Sequence, residues 1–210
     1  MGASEPMRLS DVTLPDTVAA HRAVNVVTRF ASPALVNHSQ RSYLWAASYG
    51  TANGIDFDAE LLFVSAMLHD IGLVPAFDNH SIPFEEAGGN VAWVFGAGVG
   101  WSDARCTRAA EVIVRHMWNS VDPAVDAEGH LLEIATSLDI TGSNPQWWPA
   151  NLRADVVRQF PRLNLRDEFT ACFRAEAARK PGSSAASSLE CGLAEGLASN
   201  ILESDPGRAL

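Results

Sequence analysis

Apolar residues recur along this chain at three- and four-residue intervals and strand-like alternation is weak, a pattern that predicts an all-helical protein. The first helix is expected at about residues 16 to 31, with Val24, Val27 and Ala31 at helical spacing, and Ser32-Pro33 stops it and can open the next. That second helix, about 33 to 49, carries His38 on one face with Leu35, Ser42 and Trp45, so His38 points inward. The third, about 58 to 70, starts acidic at Asp58 and Glu60, which suits the helix dipole. It runs through Leu61, Val64 and Leu68 into His69-Asp70, within the string LLFVSAMLHDIGL. Helices follow at about 84 to 96, 103 to 118, 126 to 139, 150 to 160, 166 to 179 and 188 to 203. Ser102 caps the helix that places His116 beside Ala109 and Val112, and the next one aligns Leu132, Ala135 and Asp139. The prolines of VPAFDNHSIP predict an irregular loop beside the end of the third helix, and PGSSAASS (Pro181 to Ser188) reads as another loop.

Polar groups set into apolar helical faces carry the chemistry. A desolvated carboxylate needs a cation or several donors, so Asp70 at the buried end of a helix demands a partner. Asp139 sits near a helix C-terminus, where the dipole disfavours an anion. We expect His38, His69, Asp70 and Asp139 to converge on one divalent metal. Two imidazoles and two carboxylates suit zinc first, with ferrous iron or manganese as alternatives, and leave room for water. Each residue also has a plainer role open to it. His38 could be a hydrogen-bonded core residue, His69-Asp70 a helix end, and Asp139 a cap for the turn at Thr141-Gly142. His116 could be a proton-transfer group, a ligand for a second metal, or a buried histidine bonded to a backbone carbonyl. Arg41 could clamp a phosphate or serve as a structural ion-pair partner. Phe77, Phe84, Trp118 and Trp147 are candidate pocket aromatics, or simply core.

Composition narrows the classes. At 210 residues and 47% hydrophobic, the chain can bury one substantial core, and a single domain over 1–210 is expected, with 1–15 a flexible leading segment. A net charge of -10 without a basic cluster argues against nucleic acid or an anionic membrane as partner. No apolar run approaches the roughly 20 residues needed to span a bilayer. MGASEPMRLSDVTLP has neither a basic start nor an apolar run, so no secretory leader is expected. Three scattered cysteines without a CxxC pair predict neither a disulfide framework nor a thiolate zinc site and fit the reducing cytoplasm. Exposed faces on the terminal helices could support a homodimer.

The strings NHSQRSYLWA, LLFVSAMLHDIGLVPAFD and EIATSLDITG, holding His38, His69-Asp70 and Asp139, resemble the HD-domain superfamily of metal-dependent hydrolases. The likeness is closer to its cyanamide hydratase-like branch and covers roughly residues 20 to 200. The resemblance implies an HD-domain helical bundle with one or two divalent ions held between helices. The candidate catalytic groups are Asp70 and His116, and the candidate substrate contacts are Arg41, Phe77, Glu85 and Trp118. Within FEEAGG, Glu85 keeps the matched place, whereas Ala87 replaces an acid common in the branch. The implied activity is water addition to a small substrate, such as cyanamide converted to urea. The alternatives are a phosphohydrolase of nucleotides or phosphomonoesters and a metal-stabilised binding module without turnover. Arginines converging near the metal would favour phosphate, whereas a small pocket without them would favour a neutral substrate.

Overall fold

A computed structural model describes residues 7–203. Among them there is no strand, and ten α-helices carry the fold: α1 (Val18–Phe30), α2 (Pro33–Asn53), α3 (Ala59–Leu68), α4 (Phe84–Gly98), α5 (Asp103–Arg115), α6 (Ala127–Thr141), α7 (Ala150–Gln159), α8 (Leu165–Arg179), α9 (Ser184–Glu190) and α10 (Leu193–Ser199). None of these helices is long and apolar enough to cross a membrane. The leading segment expected at 1–15 falls partly outside the described residues. From 7 onward, Met7, Leu9 and Val12 pack against the core, and the Tyr43 hydroxyl donates to the Thr13 carbonyl at 2.8 Å.

The helix starts follow from local sequence. Thr17, Ser32, Asp58, Ser102, Asp126 and Ser183 each accept a backbone N–H three residues on, satisfying donors that a helix N-terminus leaves free. Helices α2 and α6 end in left-handed glycines, Gly54 (φ 66°) and Gly142 (φ 75°), a conformation that side chains with a Cβ disfavour.

Every residue of α3 from Leu61 to Leu68 is buried, as a helix apolar on all sides must be. It forms the centre of the bundle, with α1, α2, α4, α5 and α6 packed around it. At the N-terminal ends of α3 and α6, Glu128 accepts the Asp58 N–H at 2.7 Å, Arg105 pairs with Asp58 and Glu60, and Arg108 pairs with Asp126 and Glu128. Their C-terminal ends are thereby aimed at the same region.

One expected element divides. The helix anticipated at 188 to 203 is two short ones, α9 and α10, broken at Gly192, whose φ of 91° no right-handed helix accommodates. Helix α9 begins at Ser184, inside the stretch expected to be a loop, because Ser183 caps it and Ala185 and Ala186 are buried. The helix expected to reach 118 ends at Arg115, and α3 ends at Leu68, which leaves His116 and His69 at the two C-caps.

The turn after α3 is fixed from outside. A Cβ at Gly72 would lie 2.1 Å from the Phe84 carbonyl oxygen, which is backbone and cannot yield. Gly72→Ala is therefore expected to destabilise the protein by about 1–3 kcal/mol in urea denaturation. Gly98→Ala, where a Cβ meets nothing within 4 Å, should match or slightly exceed the wild type in the same assay.

Candidate metal centre and cavity

Two helix ends and one helix face build the site. The last turn of a helix has carbonyls open to side-chain donors, and both C-cap histidines use one. His69 donates Nδ1–H to the Ala66 carbonyl at 2.7 Å, and His116 donates Nδ1–H to the Ile113 carbonyl. Those bonds fix the tautomer and leave each Nε2 as a lone pair facing inward. The third imidazole comes from α2, where the His38 Nδ1–H donates to Asp139 Oδ2 at 2.7 Å.

Three histidines thus present Nε2 atoms toward Asp70. His38 Nε2 lies 3.0 Å from His69 Nε2, and Asp70 Oδ2 lies 3.2 Å and 3.1 Å from the two. His116 Nε2 stands 3.9 Å from Asp70 Oδ1. One ligand atom each from His38, His69 and Asp70 falls within a 4.8 Å span, and all three residues are buried. Neither Asp70 oxygen accepts a well-directed hydrogen bond, although the residue is only 2% exposed.

This arrangement calls for positive charge. Two lone pairs cannot face one another at 3.0 Å beside an ionised carboxylate without a proton or a cation between them. Desolvation opposes charge on His38, but the hydrogen bond to Asp139 and the nearby Asp70 carboxylate outweigh it and raise its pKa. Burial likewise opposes ionisation of Asp70, yet the neighbouring His69 and His38 hold its carboxyl well below the usual range. Burial and the neighbouring His69 push His116 down to about 3, so its ring is neutral. Two imidazole nitrogens and a carboxylate oxygen form a donor set that fits zinc, ferrous iron or manganese.

Asp139 stands on the far side of the His38 ring from this group. Its carboxylate takes a bidentate bond from Arg41 at 2.8 and 2.7 Å, the Trp45 indole N–H at 2.9 Å and the His38 N–H. Burial works against its charge, but Arg41 and these donors hold its pKa far below normal. His38 and Trp45 share the face of α2 that the helical spacing predicted, Arg41 joins them, and what they meet is a carboxylate. Carboxylate–histidine pairs of this kind orient a ligating ring and raise its basicity.

Beside the histidines opens a cavity of about 510 Å³. Its walls come from the α5 end with Trp118, from α6 with Glu133, Thr136 and Ser137, and from Phe169 and Phe173 of α8. The corner between α9 and α10 supplies the rest, through residues 188 and 191–193. Among the described residues, none lining the cavity is lysine or arginine.

Of the expected substrate contacts, only Trp118 reaches this space. Arg41 is fully buried, and its remaining donors are spent on the Phe160 and Pro161 carbonyls. Phe77 packs edge-on against Phe30, with ring centroids 4.8 Å apart. Glu85 is buried beside Ser184 and Glu176, and burial raises its pKa. Of the other aromatics, Phe84 packs between His116 and Phe173, and Trp147 lies against Tyr49 and Trp148. The sequence reading missed the α6 wall. Its signal was a polar stripe, Glu133, Ser137 and Thr141 at fourfold spacing on an otherwise apolar helix.

With the geometry in place, comparison with known proteins adds a second kind of observation. No family model matches the chain. Two curated proteins of Saccharomyces cerevisiae (strain ATCC 204508 / S288c) do match, cyanamide hydratase DDI2 and cyanamide hydratase DDI3. This chain is similar to both. Each is 28% identical over 172 residues, covering 80% of this chain and 76% of the relative.

Removing one member of a buried ion pair strands the other charge. Arg41→Met should therefore cost about 3–5 kcal/mol by chemical denaturation. Exposed Arg158, paired among the described residues only with Asp155 three residues before it on α7, should cost less than about 1 kcal/mol when replaced in the same way.

Proposed function

We propose that this chain is a metal-dependent hydratase of the HD-domain kind that adds water to a small neutral cyano compound, converting cyanamide to urea. The observation that carries the reading is a cavity abutting His38, His69 and Asp70 whose lining includes no lysine or arginine among the described residues. A phosphate-bearing substrate would need compensating cations there. Arg41, three residues from His38 on α2, is committed to Asp139. Similarity to the two yeast cyanamide hydratases supports the same substrate class.

His38, His69 and Asp70 would hold the ion. A divalent cation held there would supply Lewis acidity, bringing the pKa of a water from about 16 towards about 7. Asp139 keeps the His38 tautomer and ring orientation, and it gains the Arg41 charge in return. His116, neutral with its lone pair inward, accepts a hydrogen bond from the attacking water and orients it. Phe169 and Phe173, stacked with centroids 4.5 Å apart, give the cavity an apolar wall that suits a small uncharged molecule.

Purified protein loaded in turn with zinc, ferrous iron or manganese should release urea from cyanamide and leave a phosphomonoester panel untouched. Phosphate release without urea would refute the assignment. His69→Ala and Asp70→Ala should each lose stoichiometric metal by elemental analysis along with activity. His116→Ala should keep the metal and slow turnover about a hundredfold.

A further inference from the structure

Hydration of a cyano group needs a proton for nitrogen as well as an oxygen for carbon, and the polar groups around the cavity differ in what they can give. The titratable groups facing the space are His38 from α2, His69 and Asp70 from the end of α3, His116 from the end of α5, Glu133 from α6, and Cys191 from the α9–α10 corner. Helix α8 contributes only Phe169 and Phe173. The Nδ1 hydrogens of the histidines are held by Asp139, Ala66 and Ile113. Asp70 is ionised. The Thr136 hydroxyl donates to the Leu132 carbonyl at 3.0 Å, and Thr141 and Ser143 are bonded to each other at 2.7 Å. Cys191 is exposed at the rim.

Glu133 is different. It lies half-buried on the cavity wall, with one hydrogen bond, a 3.4 Å contact from the Ser137 hydroxyl one turn on. Among the described residues no charged side chain pairs with it. We propose that Glu133 is the residue that donates the proton to the substrate nitrogen, an assignment that rests on the hydratase reading above. The step balances as follows. Water oxygen bonds to the cyano carbon, one C–N π bond breaks, and its electron pair takes the Glu133 proton to form N–H. The proton shed by the water returns to the Glu133 carboxylate, and the resulting hydroxyimine tautomerises to the amide, which for cyanamide is urea.

The surroundings put the acid in a usable range. Burial raises Glu133 to about 7, only partly offset by Ser137, so near neutrality a substantial fraction carries a proton. A group that must be protonated acts below its pKa, and the rate should fall as pH rises through about 7.

The test follows urea release from cyanamide between pH 5 and 9 by metal-loaded wild type, Glu133→Gln, Glu133→Asp, Ser137→Ala and Cys191→Ser, with metal content and helicity measured for each. Glu133→Gln should keep its metal and helicity, lose about a hundredfold or more in kcat, and lose the descending alkaline limb. Glu133→Asp should restore that limb in part. Ser137→Ala removes the hydroxyl that favours the carboxylate, so its limb should move to higher pH. A Glu133→Gln profile that matches wild type overturns the assignment, as does loss of the limb in Cys191→Ser instead. If the metal-loaded wild type makes no urea at all, the hydratase reading itself has failed, and the role of Glu133 falls with it.

Discussion

Two buried carboxylates, answered in opposite ways, organise this molecule. Asp139 is fully enclosed and fully served by a guanidinium, an indole and an imidazole. Asp70 is almost as deeply enclosed, and no donor is directed at either of its oxygens. Burying charge costs several kcal/mol per ion unless it is compensated, so the first arrangement stabilises a core and the second leaves a negative charge to be answered by a proton or a cation. The His38 ring joins them, bonded to one carboxylate through Nδ1 and facing the other through Nε2. Displacing Arg41 would therefore be felt at the candidate metal position, although Arg41 never approaches it.

Helix termini do the rest of the positioning. His69 and His116 occupy equivalent places at the ends of α3 and α5, each tying its Nδ1–H to the carbonyl three residues before it in the last turn. The negative ends of two helix dipoles then point into one volume, reinforcing the preference for positive charge set by Asp70. Neither histidine needs a dedicated side-chain partner to hold its tautomer, because stopping the helix provides one. The Gly72 turn, pressed against the Phe84 carbonyl, keeps this end of α3 from relaxing.

Much of this was legible in the pattern of the chain. Helical periodicity located the helices within a few residues, and the polar residues set into apolar faces singled out His38, His69, Asp70, His116 and Asp139, all buried here. Sequence could not say which side of the His38 ring Asp139 would occupy, since an inward carboxylate can meet a metal or a guanidinium equally well. Nor could it place Arg41, whose three-residue offset from His38 fits a substrate clamp and a buried pair alike. Glu133 escaped notice because a glutamate on a helix is usually solvated, and the cavity it lines is formed with parts of α8 and the α9–α10 corner that lie far away in sequence. That corner was itself hidden, because a lone glycine in a helical pattern does not announce a left-handed turn.

The division of labour between chain segments has an evolutionary consequence. The three residues grouped as a candidate ion site come from α2 and the end of α3, whereas one wall of the adjoining space belongs to two seven-residue helices hinged at Gly192. Replacements around Ser188, Cys191 and Leu193 can reshape what fits without disturbing the imidazoles. A lineage built on this plan is free to exchange one small molecule for another by remodelling the corner between α9 and α10, while the cluster of imidazoles stays as it is.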